Sequence, residues 1–309
     1  MKIYIQRHSE FAGKWIYSGY AHAWAYLDHQ VKFISQLEEI KDDSSYLLFI
    51  TDGIVTENNL KYLKNSHKTF LYVQPNEFPH HWGKHPNFIS ALQPDIVNEI
   101  NGLKNVIKWF FGYDTKTYFT LWKNVVSMPL AYDNINYFSD ESYNHDYDYD
   151  ICFIGGFANN GFNEKITIIQ NTLNAFLKAG FKCGFSVGQN ISHELENYVL
   201  NRSKVALNVH DLYQRTLGLD TNERTFKSLG CNGILISDCV KQLGLLFPHC
   251  YQSNNLDELI EKTKEFCQLD LYELSLHKKQ NKKIIEEKHT YIKRVQQFLK
   301  INENFHYSS

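Results

Sequence analysis

Short apolar runs alternate with longer amphipathic ones along this chain. Residues 2–6 (KIYIQ), 31–34, 46–51 and 69–73 are short, β-branched and aromatic, which predicts strands. Between the first two lies a polar, aromatic stretch with Gly13, Ser18 and Gly19 that reads as a loop, then a helical segment over 20–29. Residues 57–65 suit a second helix. Strand, helix, strand in this order is a βαβ unit, and parallel pairing requires such crossovers. Residues 75–94 hold four prolines and are expected to be mostly loop; 105–110 and 124–128 read as further strands.

A second series follows a polar, acidic stretch at 134–149, where the aliphatic content drops. It predicts strands at 151–154, 182–187, 205–209 and 234–237. Helices are expected over 163–179 (Ile166, Ile169, Leu173, Phe176 and Leu177 on one face), 192–201 (capped by Ser192, with Leu195 and Val199 on one face), 256–266 (capped by Asn255), 269–287 and 290–301. Another helix opens at Asn222 and closes near Gly230 and Gly233. The expected organisation is an α/β unit at 1–133, a linker at 134–149 and a second α/β unit at 150–289. Parallel sheets bind ligands beyond the carboxyl ends of their strands, so two such units predict a cleft between them.

Composition narrows the class. With 32 Lys plus Arg against 34 Asp plus Glu, the net charge is −2, which gives no global attraction to nucleic acid or to an anionic membrane. No apolar run approaches the roughly 20 residues that span a bilayer. The six cysteines contain no C-x-x-C pair, and MKIYIQRH resembles a first strand more than a leader; both favour a reduced, cytoplasmic location.

The candidate chemistry gathers in the second half. Gly155 and Gly156 end a strand and let a backbone approach a phosphate closely, although the spacing is not G-x-G-x-x-G. Lys165, on the next helical turn, can reach a diphosphate, and Gly188 ends the following strand. Asn208, His210 and Asp211 emerge at another strand end with groups suited to ribose, sugar or phosphate. At the start of the next helix, Asn222, Glu223, Arg224 and Thr225 combine unpaired N–H groups with a guanidinium. Each also has a simpler use: Asn222 as a cap, the glycines as turns, Asn208 and Asp211 as strand-end turn residues. The acidic run at 146–150 precedes a strand and reads as linker, so no metal is expected; the histidines lack ligand spacing. Lys278, Lys279, Lys282 and Lys283 read as a solvated helix face. In the first half, Ser18, Gly19 and Tyr20 are candidates for acceptor contacts, and His80, Asp52 and His22 for a general base.

Leu207-Asn208-Val209-His210, Arg224-Thr225-Phe226, the glycine-bounded helix end, the strand to Asp238 and His289-Thr290-Tyr291 with Arg294 resemble the group-1 glycosyltransferase superfamily, nearest its spore-maturation-protein-like branch. The resemblance covers about 150–300 and is loose before it. It implies two Rossmann-like domains facing across a cleft (GT-B type), a C-terminal helix over about 290–309 packing back on the N-terminal domain, and a nucleotide-sugar donor in the C-terminal domain. The family usually carries Glu after Arg-x-Phe; here the residue is Lys227, which can contact phosphate, while Glu223, one turn earlier, can take the ribose.

The expected function is metal-independent transfer of a sugar from a UDP- or GDP-linked donor to a hydroxyl of a glycan, protein or small molecule, with no resident cofactor. The alternatives are a phage-type DNA-base glycosyltransferase of the same fold, which the net charge disfavours, and an inactive nucleotide-binding or assembly protein, which Lys227 favours.

Overall fold

The computed structural model describes residues 1–8, 11–41, 45–85, 88–139, 147–156 and 164–301. Two compact units make up the chain: Met1–Pro129 with the segment from Arg294, and Leu130–Lys293.

In the first unit the elements run β1 (Lys2–Gln6), α1 (Phe11–Tyr26), β2 (Gln30–Ile34), β3 (Tyr46–Thr51), α2 (Leu60–Asn65), β4 (Lys68–Tyr72), α3 (Pro94–Asn101), β5 (Val106–Phe110) and β6 (Val126–Ser127). Every strand pairing is parallel, in the order β2-β1-β3-β4-β5-β6. Side chains alternate across the sheet. Leu48, Ile50 and Leu71 join an aliphatic core with Leu60 and Leu63 of α2 and Val97 and Ile100 of α3. Phe49, Phe70 and Trp109 form an aromatic face with Tyr20 of α1.

Helix α1 begins well before the expected start at residue 20. Ile16, Tyr17, Tyr20, Ala23 and Trp24 recur at helical spacing and all are buried. That stripe outweighs the loss of about 1 kcal/mol that each interior glycine brings. Helix α3 was not anticipated either, although Pro94 occupies the first turn, where its missing N–H costs nothing.

The second unit contains β7 (Tyr149–Gly155), α4 (Glu164–Lys178), β8 (Cys183–Val187), α5 (His193–Asn201), β9 (Ser203–Asn208), α6 (Leu212–Leu217), α7 (Glu223–Cys231), β10 (Leu235–Ser237), α8 (Lys241–Leu246), β11 (Tyr251–Gln252), α9 (Leu256–Gln268) and α10 (Leu271–Lys288). Its strands are also parallel, ordered β11-β10-β9-β7-β8. The caps predicted at Ser192, Asn222 and Asn255 all accept backbone N–H bonds. The short elements α6, α8 and β11 carry too little periodicity to be read from the sequence. Of the two apolar residues one turn apart on α5, Val199 is buried and Leu195 is exposed.

Helix α10 corrects the lysine reading. Lys278 and Lys282 are buried. Lys278 Nζ donates to Ser203 O (2.7 Å) and Lys282 Nζ to Ser139 Oγ (2.6 Å), so these two side chains tie α10 to the unit. Beyond it, α11 (Tyr291–Lys300) returns to the first unit. There Phe298 packs on Phe70 (5.2 Å between centroids), Trp109 (5.1 Å) and Phe49 (5.8 Å), and Arg294 Nε donates to Pro129 O (2.7 Å).

Candidate functional site

Strands β9 and β10 are paired with Ser237 beside Asn208, so the residues just past both strand ends are brought together. His210 and Asp238 meet there. The His210 backbone N–H donates to Asp238 Oδ2 (3.0 Å), and its ring Nδ1 lies 2.6 Å from Asp238 Oδ1. The other ring nitrogen, Nε2, faces the hydroxyls behind it. It lies 2.8 Å from Thr221 Oγ1, which is 2.5 Å from Thr225 Oγ1; Thr225 in turn accepts from Asn208 Nδ2 (2.8 Å). Asn208, His210, Thr221 and Thr225 have no exposed surface. A buried polar network is stable only when its members are satisfied, and this one supplies partners throughout. Asp238 is held below the ordinary carboxylate range: burial opposes this, but His210 and Arg215 outweigh it.

Arg224 lies over this network. Its Nε donates to Ile154 O (2.6 Å), and Nη1 donates to Asn208 Oδ1 (3.1 Å) and Val209 O (3.2 Å). The guanidinium also covers the Phe153 ring at 4.5 Å. Its remaining nitrogen, Nη2, lies over Gly155, where an added Cβ would sit 1.9 Å away. Gly155 is therefore glycine because the arginine occupies the space of a side chain. Gly156 is open, and Gly188 is adjacent, its N–H donating to Gly155 O (2.9 Å). Asn222 caps α7 and donates to Val209 O (3.3 Å). Lys165, in the first turn of α4, is paired with Asp211 at 2.9 Å, and burial lowers its pKa. The residues at 157–162 that also belong to the expected glycine loop lie outside the described residues.

Lys227 faces a different set of partners. Its ammonium is 2.5 Å from Glu196 Oε1 and 3.6 Å from Glu223 Oε2, and it covers the Tyr137 ring at 5.1 Å. Tyr137 donates to Glu196 Oε2 (2.5 Å). Burial works against the charged lysine, but the two carboxylates raise its pKa on balance. Burial likewise raises the pKa of Glu223. Gly230, one turn on, leaves room for the Tyr132 ring, which a Cβ would meet at 2.6 Å.

The acidic run before β7 also pairs internally. Asp148 binds Arg202 through two bonds (3.0 and 3.2 Å), and Asp150 binds Lys204 (2.9 Å); Asp146 lies outside the described residues.

In the first unit, Asp52 follows β3 at the carboxyl end of the sheet and is buried. It accepts from Gln74 N–H (3.1 Å), and burial pushes its pKa up to about 6. His80 is exposed in the segment between β4 and α3, and His22 lies partly buried on α1. Ser18, Gly19 and Tyr20 are within α1 and not in a loop, with the Tyr20 ring fully buried against Phe49 at 4.5 Å.

Residues 169–300 match the family model for glycosyl transferase-like proteins. No curated protein matches the sequence. Among solved structures, an α-glucosyltransferase in complex with UDP and a 13-mer DNA containing an HMU base aligns with a TM-score of 0.61 at 12% identity, over 97% of this chain and 99% of that one. The DNA-modifying enzyme β-glucosyltransferase aligns at 0.56 with 10% identity, over 96% and 97%. AviGT4, a glycosyltransferase involved in avilamycin A biosynthesis, aligns at 0.55 with 10% identity, over 96% and 97%. At these identities the likeness concerns the fold, which is of the GT-B type with two parallel-strand sheets.

Sequence reasoning missed the Glu196–Tyr137 partnership of Lys227 and the pairing of Asp238 with His210. The second was within reach: two acidic or basic residues just past neighbouring parallel strands fall side by side. The first depends on α5 packing on α7, which no local pattern announces.

Proposed function

We propose that the protein is a glycosyltransferase that moves a sugar from a UDP- or GDP-linked donor to an acceptor hydroxyl. The observation that carries this is Arg224, held at the ends of β7 and β9 by three oxygens while Nη2 remains over Gly155. A guanidinium fixed in this way needs no reorganisation to meet a diphosphate. The acceptor oxygen forms a bond to the anomeric carbon, the bond from that carbon to the phosphate oxygen breaks, and the nucleoside diphosphate leaves with the electron pair. Arg224, with Lys165 beside it, stabilises the charge that develops. Asp52, with a pKa near 6, is the base we assign to take the acceptor's proton. Asn208, Asn222, Thr225 and His210 support the arginine from beneath. Leu207–His210 and His289–Tyr291 favour the spore-maturation-protein-like branch.

Thermal shift with UDP, GDP and their sugar conjugates tests the reading. A ligand at a hundred times its Kd adds about 2.7 kcal/mol of stability. Arg224→Ala should weaken nucleotide binding by about 10- to 100-fold with the fold intact. Failure of every nucleoside diphosphate to stabilise the wild type would remove the donor site. Two of the solved neighbours act on or bind DNA, so a hydroxyl-bearing DNA base is the second acceptor to test. Its signature is transfer that falls steeply with salt.

A further inference from the structure

We infer that the second unit carries a further binding pocket, at the amino ends of β10 and β11, that takes an uncharged purine or pyrimidine nucleoside. Leu235, the first residue of β10, and Tyr251, the first of β11, line it with His249, Phe266 of α9 and His277 of α10. Its volume is about 580 Å³, within the range of small-ligand pockets. Parallel sheets ordinarily take ligands beyond the carboxyl ends of their strands. The His210–Asp238 cluster lies at such an end, just past Ser237 of β10. The pocket is at the other end of the same strand, so a ligand in one place does not exclude a ligand in the other.

Flat surface, edge groups and charge all point to that class. His249 and His277 are exposed and bring imidazole rings from two different elements, and Tyr251 and Phe266 add half-buried rings. The His277 ring stands nearly perpendicular to that of Phe266 (81°, 6.2 Å between centroids), an edge-to-face contact that orients it. Burial lowers the His249 pKa, so at neutral pH this ring is uncharged and suited to stacking on a base. Edge groups come from α10. The Gln280 amide can both donate and accept, and Asn281 gives Nδ2 to Gly233 O (2.7 Å), which leaves Oδ1 to accept. Mixed donors and acceptors match the edge of a nucleobase, whereas a hydrocarbon ring would leave them unpaired. Charge argues against a phosphate. The Lys262 ammonium covers the Tyr251 and Phe266 rings at 5.6 and 5.2 Å and lies 2.6 Å from Glu265 Oε2, so a phosphate would have to compete with that carboxylate for it.

The test is calorimetric titration of the full chain with adenosine, guanosine, cytidine and uridine, on the wild type, His277→Ala, Gln280→Ala and Arg224→Ala. His277 and Gln280 are exposed, so their truncation preserves the fold. At least one nucleoside is expected to bind the wild type, to bind Arg224→Ala equally well and to resist displacement by UDP. His277→Ala should weaken it by about 5- to 100-fold, the worth of one stacking partner, and Gln280→Ala by about three- to tenfold. On Arg224→Ala, the 5′-monophosphate should bind no more tightly than the nucleoside. Failure of all four nucleosides to bind overturns the assignment. So does binding that UDP displaces or that Arg224→Ala abolishes, which would put the nucleoside beside Arg224 instead. A monophosphate that binds Arg224→Ala more than about tenfold tighter would overturn the uncharged ligand, and full affinity in both His277→Ala and Gln280→Ala would overturn the pocket.

Discussion

The two units share a parallel α/β plan and differ in what they bury. One face of the first sheet is a cluster of large rings: Tyr20, Phe49, Phe70, Trp109 and Phe298. The second unit places amides, hydroxyls, an imidazole and ions at its strand ends and inside α7. Ring packing is tolerant of small shifts, because dispersion and area burial are weakly directional. A hydrogen-bonded interior is not, since each unmatched group loses its solvation outright. The first unit is thus built for cohesion and the second for the exact placement of Arg224.

Four substitutions, and two more that serve as their companions, sharpen or break that contrast. The largest effect is expected from Phe298→Ala, which removes a buried ring from the first unit at a cost of about 3–5 kcal/mol. Chemical denaturation should show the loss, and a cost below about 1 kcal/mol would mean that the last helix contributes little cohesion. Next is Lys227→Met, which leaves Glu196 and Glu223 buried without their cation and costs about 3 kcal/mol. Adding Glu196→Gln to it should restore part of the loss; no recovery would argue that packing, and not charge, dominates there.

Asp52→Asn acts in the opposite direction. The native carboxyl has a pKa of about 6 against an ordinary 3.8. Between those values the folded state holds more protons than the unfolded state, so wild-type stability falls as pH rises through about 4 to 6 and stays lower above. The asparagine variant lacks that slope and should be more stable at pH 8 by about 1–3 kcal/mol, while transfer is lost. Asp220 is the matching control in the second unit: burial also pushes it to about 6, and it accepts from Gln214 at 2.8 Å. Asp220→Asn should give the same pH response and retain transfer. Retained transfer in the Asp52→Asn variant would dismiss Asp52 as a base.

The smallest change in stability, about 1 kcal/mol, is expected from Gly155→Ala: the methyl group meets three atoms of the Arg224 guanidinium, at 1.9, 2.5 and 2.7 Å, but they form the far end of a long side chain that can shift. Its effect on function should be larger. The methyl group displaces Nη2 of Arg224, so UDP or GDP affinity should drop about tenfold. Unchanged affinity would show that the guanidinium can do its work from another position.

Much of this architecture was legible in the sequence. The strands at 46–51 and 182–187 and the caps at Ser192, Asn222 and Asn255 follow from local chemistry, and the structure has them nearly as read. Helix α1 was misjudged because glycine and serine are local signals, whereas the burial of Tyr17, Tyr20 and Trp24 depends on a sheet far away in sequence. The lysines of α10 were misjudged for the same reason, since a carbonyl at Ser203 determines that Lys278 points inward. At the site, residue types at strand ends announced a polar cluster. Which of them would be fully enclosed could not be read, because Asn208 and His210 became the buried support and Arg224 the half-buried arm above them only through tertiary contacts.

The placement of Phe298 has a consequence for biosynthesis. The ring that closes the aromatic face of the first sheet leaves the ribosome after the whole second unit, residues 130–293. At about 5–20 residues per second that interval is roughly 10–30 s. For that time Phe49, Phe70 and Trp109 have only the rings of α1 as cover, and a nascent chain in this state is a natural client for chaperones that hold exposed aromatic surface. A chain released early, before α11, would carry that half-covered face permanently and be routed to degradation even though its entire second sheet had been made.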